Sequence, residues 1–493
     1  MGSTFSTYNI ATTGMYNGQS ALTTVSTNLA NINTTGYSRQ RVISTEQNVV
    51  LSATTSYGSG VSVESIERVR NSFLDKTYRS ANASTEYWKA KDSVLEDAQA
   101  LLNEYDSSDS TSNDTNGLQK TIQNFFDAWD DLANDPSSQS TRKALVESAT
   151  AMLDTMNDLD AELSEMQDNS ADRLENGVDT VNDLAQQVAK LNGQIAATEV
   201  GGNTANDLED ARDELIDQIS ALTNITVVEQ SGGTTDVYIG GVSLVQGVTA
   251  RALTTVQSNN QQLAVQWADL HTDAAINNGS LKAYMEEADT SALSAVTDTT
   301  GAYDFTTSGA SCIANLRQGL NDLLTSVAAQ VNDLLATGTD LEGSTGVALF
   351  VVADTNNPFM VGNIAVNPAI TADVDKIAAG TTGGSEDNTI ALKINKLQST
   401  EILQAEGLSM NVTDFYQTLV SWVSTTGDTV DSNYDTQDTL LQQAESQRQS
   451  TAGVSEEDEL SKMITYQNAY NASARVLNTI DALIGDMIDD LGG

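Results

Sequence analysis

With 493 residues, 68 of them acidic and 23 basic, the chain carries a net charge of −45, which argues against nucleic acid and anionic membrane surfaces as main partners. The length is ample for more than one core, and the charge favours a soluble, self-repelling surface that a salty habitat would screen. The longest apolar run, Val347 to Ala353, is far too short to cross a membrane, and no basic start leads into an apolar core as in a cleavable secretion signal.

Met1-Gly2 with Ser6 fits the N-myristoylation pattern, a motif short and loose enough to occur by chance. Residues 1–38 contain no Asp, Glu, Lys, Arg or His. Within them Tyr8, Ala11, Met15, Gly18, Leu22, Val25, Leu29 and Ile32 recur at alternating steps of three and four, the seam of a helix that buries one stripe against another helix. Its other face is polar but uncharged, so it can be buried among neighbours at modest cost. Threonines throughout, and Gly14 and Gly18 at about 1 kcal/mol each, make it a poor helix on its own. The spacing therefore predicts a segment that orders only when packed.

Gly36 is placed to cap that helix in the left-handed region. Ser38 to Val63 reads as extended chain, with Arg41-Val42-Ile43, Asn48 to Leu51, and Gly58 and Gly60 as punctuation. From Arg39 to Lys91 the charge balance reverses, to an excess of basic residues. They either pair with acidic helices of the same chain or form a docking surface for an acidic neighbour.

Glu67 to Tyr105 reads as helix, and Asp106 to Asn116 as a polar loop. Leu118, Ile122, Phe125, Trp129 and Leu132 mark a shorter helix stopped at Asn134-Asp135-Pro136. A long helix then runs from Thr141 to Thr198. Its seam steps four and four through Ser170 to Leu174, a stutter that relaxes left-handed supercoiling there. Asp207 to Leu222 is a further helix. From Ile225 the period becomes two, with a hairpin turning at Ser231-Gly232-Gly233 and strands continuing to Trp267. Ser294 to Ala310 reads as loop, Ile313 to Leu335 as helix, Val361 to Asp387 as irregular, and Thr389 to Gln398 and Val412 to Arg448 as helices. The last helix starts at the N-cap Ser455 with Asp458 at the capping-box position. Its seam is Met463, Tyr466, Tyr470, Ser473, Leu477, Ile480, Ile484, Met487 and Leu491.

The expected fold is mainly α with a β-rich insert, and the N- and C-terminal helices pack together as a coiled-coil-like bundle. Its divisions are an N-terminal assembly helix at 1–38, an extended linker or hairpin at 39–66 and a helical bundle at 67–224. A β-rich outer domain at 225–310, a mixed return segment at 311–400, a helix completing the bundle at 401–454 and a C-terminal assembly helix at 455–493 follow.

The residues point to no enzyme and no cofactor. His271 is the single histidine and Cys312 the single cysteine, so zinc has no ligand set and there is no disulfide framework. The Gly-Gly pairs lead into no phosphate loop. Asp172, Asp179 and Asp183 lie along one helix and would not wrap calcium. A carboxylate pair for glycoside hydrolysis is not singled out in so acidic a chain.

Asn28-Leu29-Ala30-Asn31-Ile32-Asn33-Thr34-Thr35-Gly36-Tyr37-Ser38-Arg39-Gln40 resembles the N-terminal signature of the flagellar rod, hook and hook-associated axial proteins. The Tyr37 to Gln40 continuation narrows the resemblance to the hook-associated proteins of the hook–filament junction. Ala211-Arg212-Asp213-Glu214-Leu215 resembles the helix before the family's hairpin, and Asp340, Gly343, Gly346 and Phe350 its mid-chain signature. Gly453-Val454-Ser455, Tyr466-Gln467 and Ala469-Tyr470 resemble its C-terminal helix. The chain departs from the pattern after Val331-Asn332, where Asp333 stands in place of the usual His, and its β-rich insert is small for the family.

The resemblance implies a non-enzymatic subunit exported through the flagellar type III apparatus and added as a ring to the distal hook. Its partners would be copies of itself, hook protein, hook-associated protein 3 and an export chaperone for the C-terminal helix. The terminal helices would form the inner tube and the middle of the chain would face outward. Other readings are a hook protein or flagellin-like subunit, or a secreted glycan-binding or hydrolytic module on the β-rich insert.

Overall fold

The computed structural model describes residues 2–52, 55–105, 117–201, 204–257, 263–289, 311–382, 384–405 and 407–491. Helix α1 (Gly2–Ala30) leads through a turn, where Gly36 takes φ +78°, into a long antiparallel ribbon of β1 (Gln40–Ser52) and β2 (Thr55–Arg68). Helices α2 (Ser72–Tyr105), α3 (Leu118–Asn134), α4 (Gln139–Val200) and α5 (Asn206–Leu222) follow. Strands β3 (Thr226–Glu229), β4 (Thr235–Ile239), β5 (Val242–Gln246) and β6 (Thr249–Ala250) form one antiparallel sheet in chain order, and β7 (Leu253–Gln257) pairs with β8 (Leu263–Trp267). Then come α6 (Ser280–Glu287), α7 (Cys312–Ala336), the pair β9 (Phe350–Val352) and β10 (Ile364–Val366), and α8 (Pro368–Ala372). The chain finishes with α9 (Thr389–Leu397), the pair β11 (Leu403–Ala405) and β12 (Leu408–Met410), α10 (Val412–Ala452) and α11 (Glu456–Leu491).

The chain is thus mainly α with β-rich segments in its middle. Ser138 caps α4 by accepting from the Thr141 amide, Ser311 caps α7 through Ala314, and Asn411 caps α10 through Asp414. Glu67 and Arg68, read from the sequence as the start of a helix, instead finish β2, because the ladder with β1 continues to Gln40↔Arg68. Val361 to Asp387 is less irregular than its composition suggests, holding β10, α8 and a 3-10 turn at Val374–Lys376. The loops expected at 106–116 and 294–310 lie outside the described residues.

Helix α4, about 93 Å long at 1.5 Å per residue, runs through two separate cores. The first takes Leu145 to Leu163 of α4 with α3, α7, α9 and the start of α10, around Phe125, Trp129 and Phe350. The second takes Leu174 to Ala189 with α5, the four-stranded sheet, β7–β8 and Leu281 of α6. Between them, where the seam stutters, polar residues turn inward. Gln167 donates to the Asp289 carbonyl at 2.6 Å and accepts from Arg317 at 2.7 Å, while Arg317 also pairs with Asp160 at 2.7 Å.

In the first core, Asp322 of α7 accepts from Gln318 at 2.8 Å, and its second oxygen is buried without a partner among the described residues. Burial pushes its carboxyl up to about 6. A carboxyl raised on folding contributes stability that is fully present below its unfolded value near 4 and is lost as pH rises through about 6. Wild type should therefore gain about 2 kcal/mol relative to Asp322→Asn between pH 8 and pH 4. Urea midpoints of both proteins across that range check it; parallel curves would refute it.

Candidate assembly interface

Helices α1 and α11 pack antiparallel. A Cβ placed on Gly14 would lie 3.0 Å from Ser473 Oγ and one on Gly18 3.3 Å from Tyr470 Cβ, so the two glycines let the backbones approach. On α1 the side chains of Ala11, Ala21, Thr24, Val25 and Asn28 are buried, and Met15, Leu22 and Leu29 are half-buried. On α11 Ile480 is buried, and Met463, Tyr466, Tyr470, Leu477 and Ile484 are half-buried. Tyr8, Ile32 and Met487 are on the exposed side, and the Leu491 side chain lies outside the described residues.

The ribbon β1–β2 lies along the other side of α1. Thr13 Oγ accepts from the Val61 amide at 3.4 Å, Ser44 donates to Asn17 at 2.6 Å, and Gly60, at φ +118°, sits against Thr13 where no side chain fits. With neighbours on two sides, the covered faces of α1 have no place for charge. Thr23, Thr24, Ser26 and Thr27 each donate within the helix to the carbonyl four residues back. The outer face of the pair remains apolar and open, with Tyr16 and Ile464 each 61% exposed and Ile488 63%.

At the inner end of the pair, Asn28 uses all its hydrogen-bonding capacity. Its amide donates to the Gln40 carbonyl and to Glu459, both at 2.9 Å, and its oxygen accepts from the Tyr37 hydroxyl at 2.8 Å and the Gln40 amide at 2.9 Å. Glu459 is buried and also pairs with Lys462 at 2.6 Å. One side chain thus fastens α1, β1 and α11 together. Burial first, then Asp210, Asp207 and Glu459, raise the Tyr37 hydroxyl far above its ordinary value, so it stays a donor.

Next to this clamp the chain enters the body through a polar joint. Ser38 donates from its amide and hydroxyl to Asp210 at 3.0 and 2.7 Å, and the Arg39 amide reaches the Ala452 carbonyl at 2.8 Å. Arg68 pairs with Glu209 at 2.6 Å and with Asp210 and Asp213 at 2.8 Å. Arg70 pairs with Asp213 at 3.0 Å and Asp75 at 2.7 Å, and Arg79 with Asp217 at 2.6 Å. Arg448 of α10 pairs with Asp217 and stacks on Tyr78, 3.7 Å from the ring centre. Burial alone would raise the Asp213 carboxyl, but Arg70, Arg68 and Arg79 outweigh it and hold it at about 2.

Residues 107–350 match the family model of the flagellar hook-associated protein FlgK helical domain, and residues 445–490 match the flagellar basal body rod FlgEFG protein C-terminal model. Flagellar hook-associated protein 1 of Bacillus subtilis is 28% identical over 517 positions, spanning 100% of this chain and 99% of the relative. Its counterpart in Escherichia coli is 26% identical, spanning 98% of this chain and 99% of its own length. From end to end the chain is similar to flagellar hook-associated protein 1. The solved hook junction protein FlgK of Burkholderia pseudomallei shares the fold, with a TM-score of 0.61 at 14% identity over 76% of this chain and 100% of that one.

The residues that carry the hook-associated protein 1 resemblance fall into three places. Asn31, Gly36, Tyr37, Ser38, Arg39 and Gln40 form the turn between clamp and joint, where the Asn31 side chain caps α1 by donating to the Thr27 carbonyl at 3.0 Å. Asp340, Gly343, Gly346 and Phe350 lie in the body. There Asp340 accepts from the Glu342 and Ser344 amides at 3.0 and 2.7 Å, Gly343 takes φ +84°, and a Cβ on Gly346 would strike the Leu335 carbonyl at 2.2 Å. Gly453 and Val454 link α10 to α11, and Gln467 is exposed on α11.

Arg212 faces away from the joint, donating to Asn192 at 3.1 Å and to the Gly233 carbonyl in the β3–β4 turn. Asp213, its neighbour, is at the joint's centre. Sequence reasoning did not single out Arg68, Arg70, Arg79, Asp210, Asp217 or Arg448; the one signal was the local basic excess. Of that excess, Arg68, Arg70, Arg79 and Lys91 are taken up by carboxylates of α5 and α6, as the intrachain alternative had it. His271 is exposed in the turn after β8. Burial and Glu287 push the Cys312 thiol up to about 12, and no group of His, Cys, Asp and Glu able to hold a metal occurs among the described residues.

Proposed function

We propose that this chain is a structural subunit of the hook–filament junction, laid down as a ring on the distal hook through its terminal helices. The observation that carries this is the end-to-end match to flagellar hook-associated protein 1, joined to an uncharged α1 clasped between α11 and the ribbon. In a chain of net charge −45, copies approach one another at least cost where charge is missing. Residues 1–38 and the stretch 463–474 of α11 are such places. The open apolar side of the α1–α11 pair, with Tyr8, Tyr16, Ile464 and Met487, is the surface that further copies would cover.

In this reading the subunit performs no catalysis and needs no cofactor. Its partners are other copies, hook protein below, hook-associated protein 3 above, and before export a chaperone that shields the apolar seam of α11. It is secreted to the flagellum without inserting into a membrane, in keeping with the absence from the described residues of any helix long and apolar enough to cross one. Antibody labelling of intact flagella tests it. A single band where hook meets filament is the expected result; label running along the hook or the filament would instead assign the chain to another axial subunit.

A further inference from the structure

The terminal unit, made of α1, α11 and the β1–β2 ribbon, is joined to the body by three crossings of the chain: residues 31–39, 69–71 and 453–455. Neither hydrophobic core reaches them, for the two clusters contain no residue before Val94 and none after Val423. What is buried at the crossings is polar, namely Ser38, Asp75, Arg79, Asn82, Asn206 and Asp210. On one side the joint borders an open cleft of about 950 Å³, so no packed wall supports it there.

All three crossings meet one face of α5. Ser38 of the first bonds Asp210, and its neighbour Arg39 bonds the Ala452 carbonyl beside the third. Arg68, just before the second, and Arg70, within it, converge on Asp213, and the Val69 amide between them donates to the Arg39 carbonyl at 2.8 Å. Arg448, near the third, takes Asp217. Asp210, Asp213 and Asp217 recur at steps of three and four, so they form one stripe on the helix. The opposite side of α5 is held by the second core through Ile216 and Ile219 and by Arg212 on the β3–β4 turn.

We propose that the carboxylate stripe Asp210, Asp213 and Asp217 is the positioning element that holds the terminal helix pair at one angle to the body. This deepens the junction reading and rests on it, since the angle matters only if the terminal pair is what assembles. Directional ion pairs suit the task. An apolar contact tolerates sliding, whereas a guanidinium shared between two carboxylates is satisfied in one orientation. Removing one carboxylate leaves Arg68, Arg70 and Arg79 short of partners while both cores keep every contact.

The test compares wild type, Asp213→Asn, Asp217→Asn and Asp213→Glu in the full-length chain by amide hydrogen exchange. In the two neutralised variants, exchange at residues 31–39, 66–72 and 449–455 should rise about tenfold or more, the effect of losing a hydrogen bond to a charged group. The thermal midpoint read from Trp129 and Trp267, one in each core, should stay at the wild-type value. Asp213→Glu, which keeps the charge, should recover much of the protection. Cells carrying the neutralised variants should shed filaments at lower shear than wild type. Unchanged exchange at the crossings, or loss of both tryptophan signals in both neutralised variants, would overturn the proposal, as would loosened crossings with wild-type shear resistance. Where antibody lands on wild-type flagella tests the function itself and does not depend on these variants.

Discussion

A purified chain lacking residues 2–32 will not attach to isolated hooks, and cells that make only this chain will carry hooks without filaments. The deletion removes α1, and with it everything that gives the terminal unit a shape. The ribbon loses the helix it lies against, and a bare two-stranded ribbon is marginal in water. Helix α11 loses the neighbour that Tyr470 and Ser473 lie against, and an isolated helix without a packed face is unstable whatever its caps. Glu459 loses Asn28. The body is untouched, because both cores begin well after the deleted residues. The same truncated chain should therefore keep its helical circular dichroism in the body and the buried-tryptophan emission of Trp129 and Trp267. Binding to hooks at wild-type strength would refute the role of the terminal helix.

The terminal pair was legible in sequence because it is local. A heptad seam is a statement about residues three and four apart, and on α11 Tyr470 and Ser473 lie against Gly18 and Gly14 of α1. The seam of α1 was read less fully, since a single stripe assumes a single neighbour. With the ribbon on its second side, α1 also buries Ala21, Thr24 and Asn28, a second stripe beside the first. The stutter at Ser170 was visible for the same local reason, and it coincides with the polar break between the two cores. The joint was not legible. Arg68 and Asp213 are 145 residues apart, and Arg448 is 231 from Asp217. An arginine among 68 acidic residues has no sequence mark that says which carboxylate it will meet. The misreading of Glu67 and Arg68 as helix has a similar origin: only the distant pairing with Gln40 and Arg41 keeps them extended.

The substitution Asn28→Ala should approach the deletion in its effect while changing three heavy atoms. Asn28 is fully buried, and its four hydrogen bonds end on the Gln40 amide and carbonyl, the half-buried Tyr37 hydroxyl and the buried Glu459 carboxylate. The Gln40 amide and carbonyl would be left unpaired at the start of β1, and one oxygen of the buried Glu459 carboxylate would lose its donor. An unsatisfied buried group costs about 1–3 kcal/mol, so the three together come to roughly 3–9 kcal/mol. A terminal unit built from a threonine-rich helix, a ribbon and a half-exposed α11 has little margin to absorb that. Amide exchange within residues 10–30 and 459–480 of the purified variant should rise strongly while the body stays protected, and filament-bearing hooks should fall to a small fraction of wild type. Asn28→Asp should be no rescue, because its carboxylate would face Glu459 across 2.9 Å, where a donor now stands. Lowering the pH to 5 should then help Asn28→Asp, by protonating one acid of that pair, and leave Asn28→Ala unchanged. A variant at position 28 that fills hooks with normal filaments would show that the clamp is dispensable and that α1 is held by its apolar seam alone.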